Sequence, residues 1–392
     1  MRAAYRRTIF LAVLLCVSAL SRADTFTDEV SGEILHGYIA GRQEGGTMIL
    51  QTQEKGKVEV NPAKYSVVRD DAGRKNKVIV LSIDGSIELE CQTKALAQAI
   101  AKASSEGVRF ILIEMDTPGG RIDLAKEICA AIDGADCDVV MFVKGGKHGG
   151  AISAGAAVAL ACNRIYIAKN AVIGGATVVA ATGRGITDIR RVAGDDAGEK
   201  ITSIWRGSMA SMAEKHGRSG LMARAMVDRQ IAVTEITREE KAMFVEPHEV
   251  LASDVVVKRW NSKGKLVTLT GEEAVKCGMA DMPAESRQDV LKDMKAVDAE
   301  IAEDSSVKAV MEQFELMKTR SEMLIRNLNA KFGRLRAVRT QAAGMRLIRE
   351  IKADMGQLVM IGKANPDLHL DLDAIEQEYA EVEAFYKQAV RQ

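Results

Sequence analysis

Ser153 stands almost alone as a polar residue within His148–Ala161, HGGAISAGAAVALA, where nearly every other side chain is absent, methyl or aliphatic. Two roles are open to a hydroxyl in that setting. It can cap a tightly packed helix of small residues, or a glycine bend can present it as a nucleophile at a helix start, where free backbone N–H groups hold negative charge. A second bend, DTPGG at Asp116–Gly120, follows an apolar run. Parallel strands end on one sheet edge, so this bend can bring Gly119 and Gly120 beside Ser153. Glycines there keep side chains out of a substrate's path; Gly119 and Gly150, one in each bend, are the candidate substrate-binding positions.

A serine nucleophile needs a base. The chain has 5 histidines, and none falls in the apolar strand ends soon after Ser153. His148 precedes the serine in a bend and reads as solvated, while His216 ends a helical run, where the dipole favours a histidine.

The elements that must position these residues are legible from periodicity. KVIVLSID is an apolar strand from Lys77, TKALAQAIAKASSEG an amphipathic helix, and RFILIEMDTPGG a second buried strand; IDLAKEICAAIDGA, DVVMFVKGG, the serine segment and RIYIA follow. Strands alternating with helices predict an α/β domain on a mostly parallel sheet, placed at 75–284. Before it, 24–74 alternates polar and apolar residues between turns and reads as a small β module. After it, 285–392 has helical spacing with many charges and reads as a helical hairpin or short coiled coil. Within Lys318–Lys352 basic residues far outnumber the acids Glu322 and Glu350, the pattern of a solvated helix face or of a surface for an acidic partner or lipid.

Lys+Arg and Asp+Glu both number 54, so no global charge points to nucleic acid, and 4% aromatic content leaves little for base stacking. Residues 1–23 join a basic start, MRAAYRR, to a short apolar run and the small-x-small sequence SRA. That pattern predicts a signal peptide cleaved after Ala23, an uncleaved anchor being the alternative, and hence an exported, periplasmic or extracytoplasmic protein. Cys91, Cys129, Cys137, Cys162 and Cys277 are scattered, and no Cys/His spacing suits zinc.

DTPGG, then GGAISAG, then IYIAKNAVIGGA, then EKITSIWRGSMASMAEKHGRSGLMARAMVD and LVTLTGEEAVKCGMAD occur in the order found in the ClpP/crotonase superfold. More narrowly, Lys77–Ala284 resembles the NfeD-type, ClpP-class membrane-associated serine proteases, relatives of signal peptide peptidase A. The resemblance implies a Ser-Lys dyad. Ser153 would be the nucleophile, and Lys200, 47 positions on at the start of the helix after IGGA, the base in place of histidine. Lys147 and Lys169 do not match the motif position. The N–H groups of Gly120 and Ala154 would form the oxyanion hole. Peptide bonds would be hydrolysed through an acyl-enzyme, without metal or cofactor, on a peptide or protein substrate. A homo-oligomer is expected, together with a membrane-associated partner. A lysine base at neutral pH needs its pKa brought from about 10.4 to about 7–8, about 4 kcal/mol of disfavoured charge. Ile201, Ile204 and Trp205 are the residues expected to wall the apolar pocket that does this.

Two departures qualify the match: a long polar segment, AATGRGITDIRRVAGDDAG, before Lys200, and no membrane spans or small β-barrel after the protease-like region. A non-catalytic scaffold on the same fold is therefore the alternative function. A crotonase-like acyl-CoA enzyme is a third reading, disfavoured by export and by the lack of an acidic residue beside HGGAISAG.

Overall fold

The computed structural model describes residues 24–42, 47–68, 74–183 and 185–391. The signal-peptide reading of 1–23 lies outside them.

Alternation in the first segment produces five short antiparallel strands: β1 (Asp24–Asp28), β2 (Ile34–Arg42), β3 (Met48–Thr52), β4 (Gly56–Val60) and β5 (Tyr65–Val68). They form one sheet in the order β4-β3-β2-β1-β5. One face buries Phe26, Leu35, Met48, Leu50 and Val60, the inward side of the period-2 pattern.

The α/β region begins with β6 (Lys75–Asp84), α1 (Glu90–Ser105), β7 (Val108–Asp116), α2 (Ile122–Asp133) and β8 (Asp138–Val143). After β8 the chain makes the three-residue strand β9 (Gly150–Ile152), helix α3 (Ala154–Leu160), β10 (Arg164–Ile167) and β11 (Val172–Gly174). All nine residues of β7 are buried, as a central strand covered on both faces must be.

The polar segment that departs from the resemblance folds as an antiparallel hairpin, β12 (Val179–Thr182) and β13 (Gly185–Asp188), followed by α4 (Ile189–Ala193). Next come α5 (Asp195–Lys215), α6 (Gly220–Val227), and β14 (Thr234–Arg238), β15 (Lys241–Val245) and β16 (Val255–Arg259), a separate antiparallel sheet that periodicity did not reveal. The region continues through β17 (Thr268–Thr270), α7 (Gly271–Lys276), β18 (Met282–Pro283), α8 (Arg287–Asp293) and β19 (Glu300–Glu303).

The main sheet has six strands in the order β18-β10-β8-β7-β6-β19, every neighbouring pair parallel. The α/β class with a parallel sheet is thus as expected. A smaller sheet, β17-β11-β9, carries the segment before Ser153. The β19 strand lies inside the stretch read as helical tail. Its four residues, Glu300–Glu303, are too few to show a period, and pairing with Lys77–Val80 of β6 rather than local pattern makes them a strand.

Among the described residues the chain falls into two compact units, one comprising 24–88 and 96–304, the other 89–95 with 305–391. The second unit contains α9 (Ser306–Leu335), α10 (Gln341–Ala364) and α11 (Leu372–Arg391). Leu324, Leu328, Ile351, Met355 and Leu358 form its core, joined by Ile375, Tyr379 and Val382 of α11. Within it, Asp367 accepts hydrogen bonds from the N–H groups of Glu90 and Cys91, both at 2.9 Å. No helix among the described residues is long and apolar enough to cross a membrane.

Candidate active site

Asp116 ends β7, buried, with its carboxylate against the glycine-rich loop 145–150 that leads to Ser153. It accepts from the N–H of His148 and from that of Gly150, each at 2.9 Å. Two charge-assisted bonds from one carboxylate give loop 145–150 a fixed path. Thr117 continues the clamp: its N–H donates to Gly150 O (2.7 Å), and its carbonyl accepts from Ile152 N (3.2 Å). The chain therefore enters Ser153 from a short strand paired with β11, and Ser153 N–H donates to Gly174 O at 2.9 Å.

Ser153 itself has φ 55° and ψ −119°, a left-sided conformation that costs a non-glycine residue about 1–3 kcal/mol. It precedes α3, but its side chain makes no capping hydrogen bond. Of the two roles open to it from sequence, the cap is the one not realised. The hydroxyl is instead held at a sharp strand-to-helix turn, half-buried, above a helix whose seven residues are all buried. Gly155 explains how α3 sits so close to the sheet: a Cβ there would lie 2.3 Å from Thr117 Cγ2.

The DTPGG bend does lie beside the serine. A Cβ on Gly119, whose φ is 106°, would stand 2.5 Å from Ser153 Cβ and 3.1 Å from Oγ. Its backbone is already engaged, with N–H donating to Thr117 Oγ1 (3.0 Å) and the carbonyl accepting from Ile87 N (2.8 Å). Gly150 is likewise buried with both backbone groups engaged, to Asp116 and Thr117. Neither expected substrate-binding glycine thus has main-chain groups available to a substrate. Gly119 makes room for the serine, and Gly150 builds the loop. Among the described residues no acceptor pairs with the N–H of Gly120 or of Ala154, the residue after the serine.

Lys200 is exposed in the second turn of α5. Thr202, Trp205, Met209 and Ala213 take the buried face of this helix at spacings of three and four, which turns Lys200, Ile201 and Ile204 outward. The expected apolar wall is therefore not formed by Ile201 and Ile204, which are 42% and 54% exposed. Trp205 is buried, and its indole N–H donates to Ala176 O at 3.1 Å, tying α5 to the IGGA segment. Arg190 and Arg206 both pair with Glu199 and Asp228, bracing the start of α5. The hydrogen bond from Arg190, opposed by partial burial and aided by Arg206, holds the Glu199 carboxyl below the usual range. Lys147 and Lys169 are exposed.

Among the histidines, His148 Nε2 lies 3.8 Å from Asp84 Oδ1 at the end of β6. His216 ends α5, but burial, with Arg218 and Lys215 alongside, pushes its pKa down, so the helix end does not favour a charged imidazole there. All five described cysteines are free and four are buried, where loss of solvent pushes the thiol of Cys129 up to about 12. Sequence reasoning missed Asp116 and Thr117 as builders of the serine turn. The available signal was a carboxylate and a hydroxyl closing an otherwise apolar strand.

Residues 77–252 match the family described as NfeD1b, N-terminal domain. Curated relatives include "Membrane protein NfeD1b" of Bacillus subtilis, 24% identical over 58% of this chain and 43% of its own length. "Membrane-bound protease PH1510" of Pyrococcus horikoshii is 27% identical over 50% of this chain and 42% of its own length. The matched segments thus span less than half of both relatives. A mutant of the 1510-N membrane-bound stomatin-specific protease is a structural neighbour at 22% identity and TM-score 0.43, over 59% of this chain and 98% of that one. The resemblance to NfeD-type proteins read from the motifs is present in these matches.

Proposed function

Taking the NfeD1b-type match over residues 77–252 together with the strained serine turn, we propose that this chain is an exported serine endopeptidase that cleaves peptide or protein substrates. The observation that carries the reading is Ser153: a residue held at φ 55° beside Gly119, whose hydroxyl caps nothing, while the N–H groups of Gly120 and Ala154, the next residues along the two bends, are unengaged among the described residues. Strain of this kind persists where surrounding structure over-determines it, and here Asp116, Thr117 and Gly174 do so.

Lys200 is the base in this mechanism. Its neutral amine takes the Ser153 proton as Oγ attacks the substrate carbonyl carbon, and Gly120 N–H and Ala154 N–H hold the oxyanion. Collapse breaks the C–N bond, and the same proton passes to the leaving amine. Water then repeats the sequence on the acyl-enzyme. Because Lys200, Ile201 and Ile204 face solvent in the single chain, the desolvation that a lysine base requires comes from bound substrate or a neighbouring copy covering this face.

That exposure is also what favours a second reading, a non-catalytic scaffold on the same fold. One experiment separates the two. A serine-reactive phosphonate should modify the purified protein at Ser153, and peptide hydrolysis should vanish in Ser153→Ala and fall at least a thousandfold, roughly, in Lys200→Arg, since arginine keeps the charge but cannot take a proton. No adduct at Ser153 leaves the scaffold. An adduct with activity retained in Lys200→Arg but lost in His148→Ala would move the base to the histidine paired with Asp84.

A further inference from the structure

Between Glu322 and Glu350 the chain carries seven basic side chains and no acidic one. This stretch is the end of α9, the turn 336–340 and the start of α10, so folding gathers the charges at one tip of the helical hairpin. Two of the seven are answered: Lys331 pairs with Asp354 (2.7 Å) and Arg346 with Glu350 (3.4 Å). Arg334, Arg336 and Arg339 are exposed, close together around the turn, and have no ion pair among the described residues.

The acidic side chains of the same unit are kept away from this tip. Lys363 pairs with Glu376 (2.6 Å) and Lys352 with Glu383 (2.7 Å), which sets α10 and α11 antiparallel. The acidic run from Asp371 to Glu383 therefore lies alongside the part of α10 that is remote from residues 336–340. The unit is electrically polarised along the hairpin, positive at the turn and negative at the other end.

From this we infer that the turn of the α9–α10 hairpin is a docking surface for an anionic phospholipid bilayer. A flat negative surface can meet Arg334, Arg336 and Arg339 at once, while it repels the acidic end and so orients the hairpin with its turn toward the lipid. A polynucleotide fits less well, because it asks for an extended basic face or aromatic platforms along its length, whereas these charges converge on one turn. Docking of this kind is separate from catalysis.

The test uses the full chain and phosphatidylcholine vesicles with and without about one third phosphatidylglycerol. Wild type should sediment with the anionic vesicles only, and binding should weaken steeply as salt is raised from roughly 0.15 to 0.5 M. The triple variant Arg334→Ser, Arg336→Ser, Arg339→Ser should bind about a hundredfold more weakly, about fivefold per arginine. Lys57→Ser, Lys241→Ser, Lys263→Ser removes the same charge from exposed positions elsewhere and should bind as wild type. Ser153→Ala should also bind as wild type, which makes the result independent of the peptidase reading. Equal binding to neutral vesicles, an unaffected arginine triple variant, or an equal loss in the lysine triple variant overturns the inference. So does tighter binding of a duplex oligonucleotide that depends on the same three arginines and displaces the vesicles.

Discussion

At the scale of single residues, the site rests on the conformation of Ser153 and on what stands next to it. Gly119→Ala would put a methyl group 2.5 Å from Ser153 Cβ at a φ of 106° that alanine resists. We expect phosphonate labelling of Ser153 to fall at least a hundredfold, roughly, with a loss of about 1–3 kcal/mol in stability. Labelling kinetics and thermal unfolding of one preparation give both, and an unchanged labelling rate would show that the two residues do not constrain each other. Asp116→Asn is the sharper change because it preserves shape. An amide has one acceptor atom where the carboxylate offers two, so the N–H of either His148 or Gly150 loses its partner, at about 1–3 kcal/mol. Slower labelling is expected here too, since the loop that carries the chain into Ser153 is loosened.

At the scale of elements, Glu114 ties the central strand β7 to α8 and, through Arg287, to β19. Its carboxylate accepts from Arg287 of α8 (2.6 Å) and Lys144 (3.4 Å), and Arg287 also reaches Glu303 of β19 (2.8 Å). Burial alone would raise the Glu114 pKa, but the bonds and charges of Arg287 and Lys144 outweigh it and hold the group below the ordinary range. The folded value lies below the unfolded one, so this carboxylate adds stability above the usual carboxylate range, about pH 4.3, and the contribution disappears as pH falls through the folded value. Glu114→Gln should therefore be less stable than wild type at neutral pH, by about 1–3 kcal/mol, with the two converging in acid as the folded carboxyl is protonated. Melting temperatures across that range check it. A difference that stayed constant with pH would mean that packing, and not charge, explains the variant.

At the scale of the whole molecule, the place where the chain can be cut is decided by sheet pairing. Residues 285–304 supply Val290 and Leu291 to the core and β19 to the edge of β6. A chain ending at Asp304 should unfold cooperatively, whereas one ending at Glu285 should show a clearly lower urea midpoint, because it loses that strand, the buried side chains of Val290, Leu291 and Met294, and Arg287, one of the two partners of Glu114. Equal midpoints would show that the β19 edge adds nothing. Sizing the Asp304-terminated chain tests the proposed homo-oligomer at the same time: an unchanged number of subunits would exclude the helical region 305–392 from assembly.

The sequence by itself determined the α/β character, the alternation of the first β module and the glycine-rich bend around Ser153, because strand burial, period and turn chemistry are local properties. It also allowed DTPGG and GGAISAG to lie side by side, since the parallel strands before them end on one sheet edge. Tertiary structure alone decided the rest. Whether Ser153 caps a helix or strains against Gly119 depends on Gly174 and Thr117, which hold its turn from other strands. Whether Ile201 and Ile204 make a pocket depends on which face of α5 meets the sheet, and Trp205 turned that face inward through Ala176. Glu300–Glu303 became a strand only because β6 offered an unpaired edge. Contacts between residues far apart in the chain set these outcomes, and no local pattern carries that information.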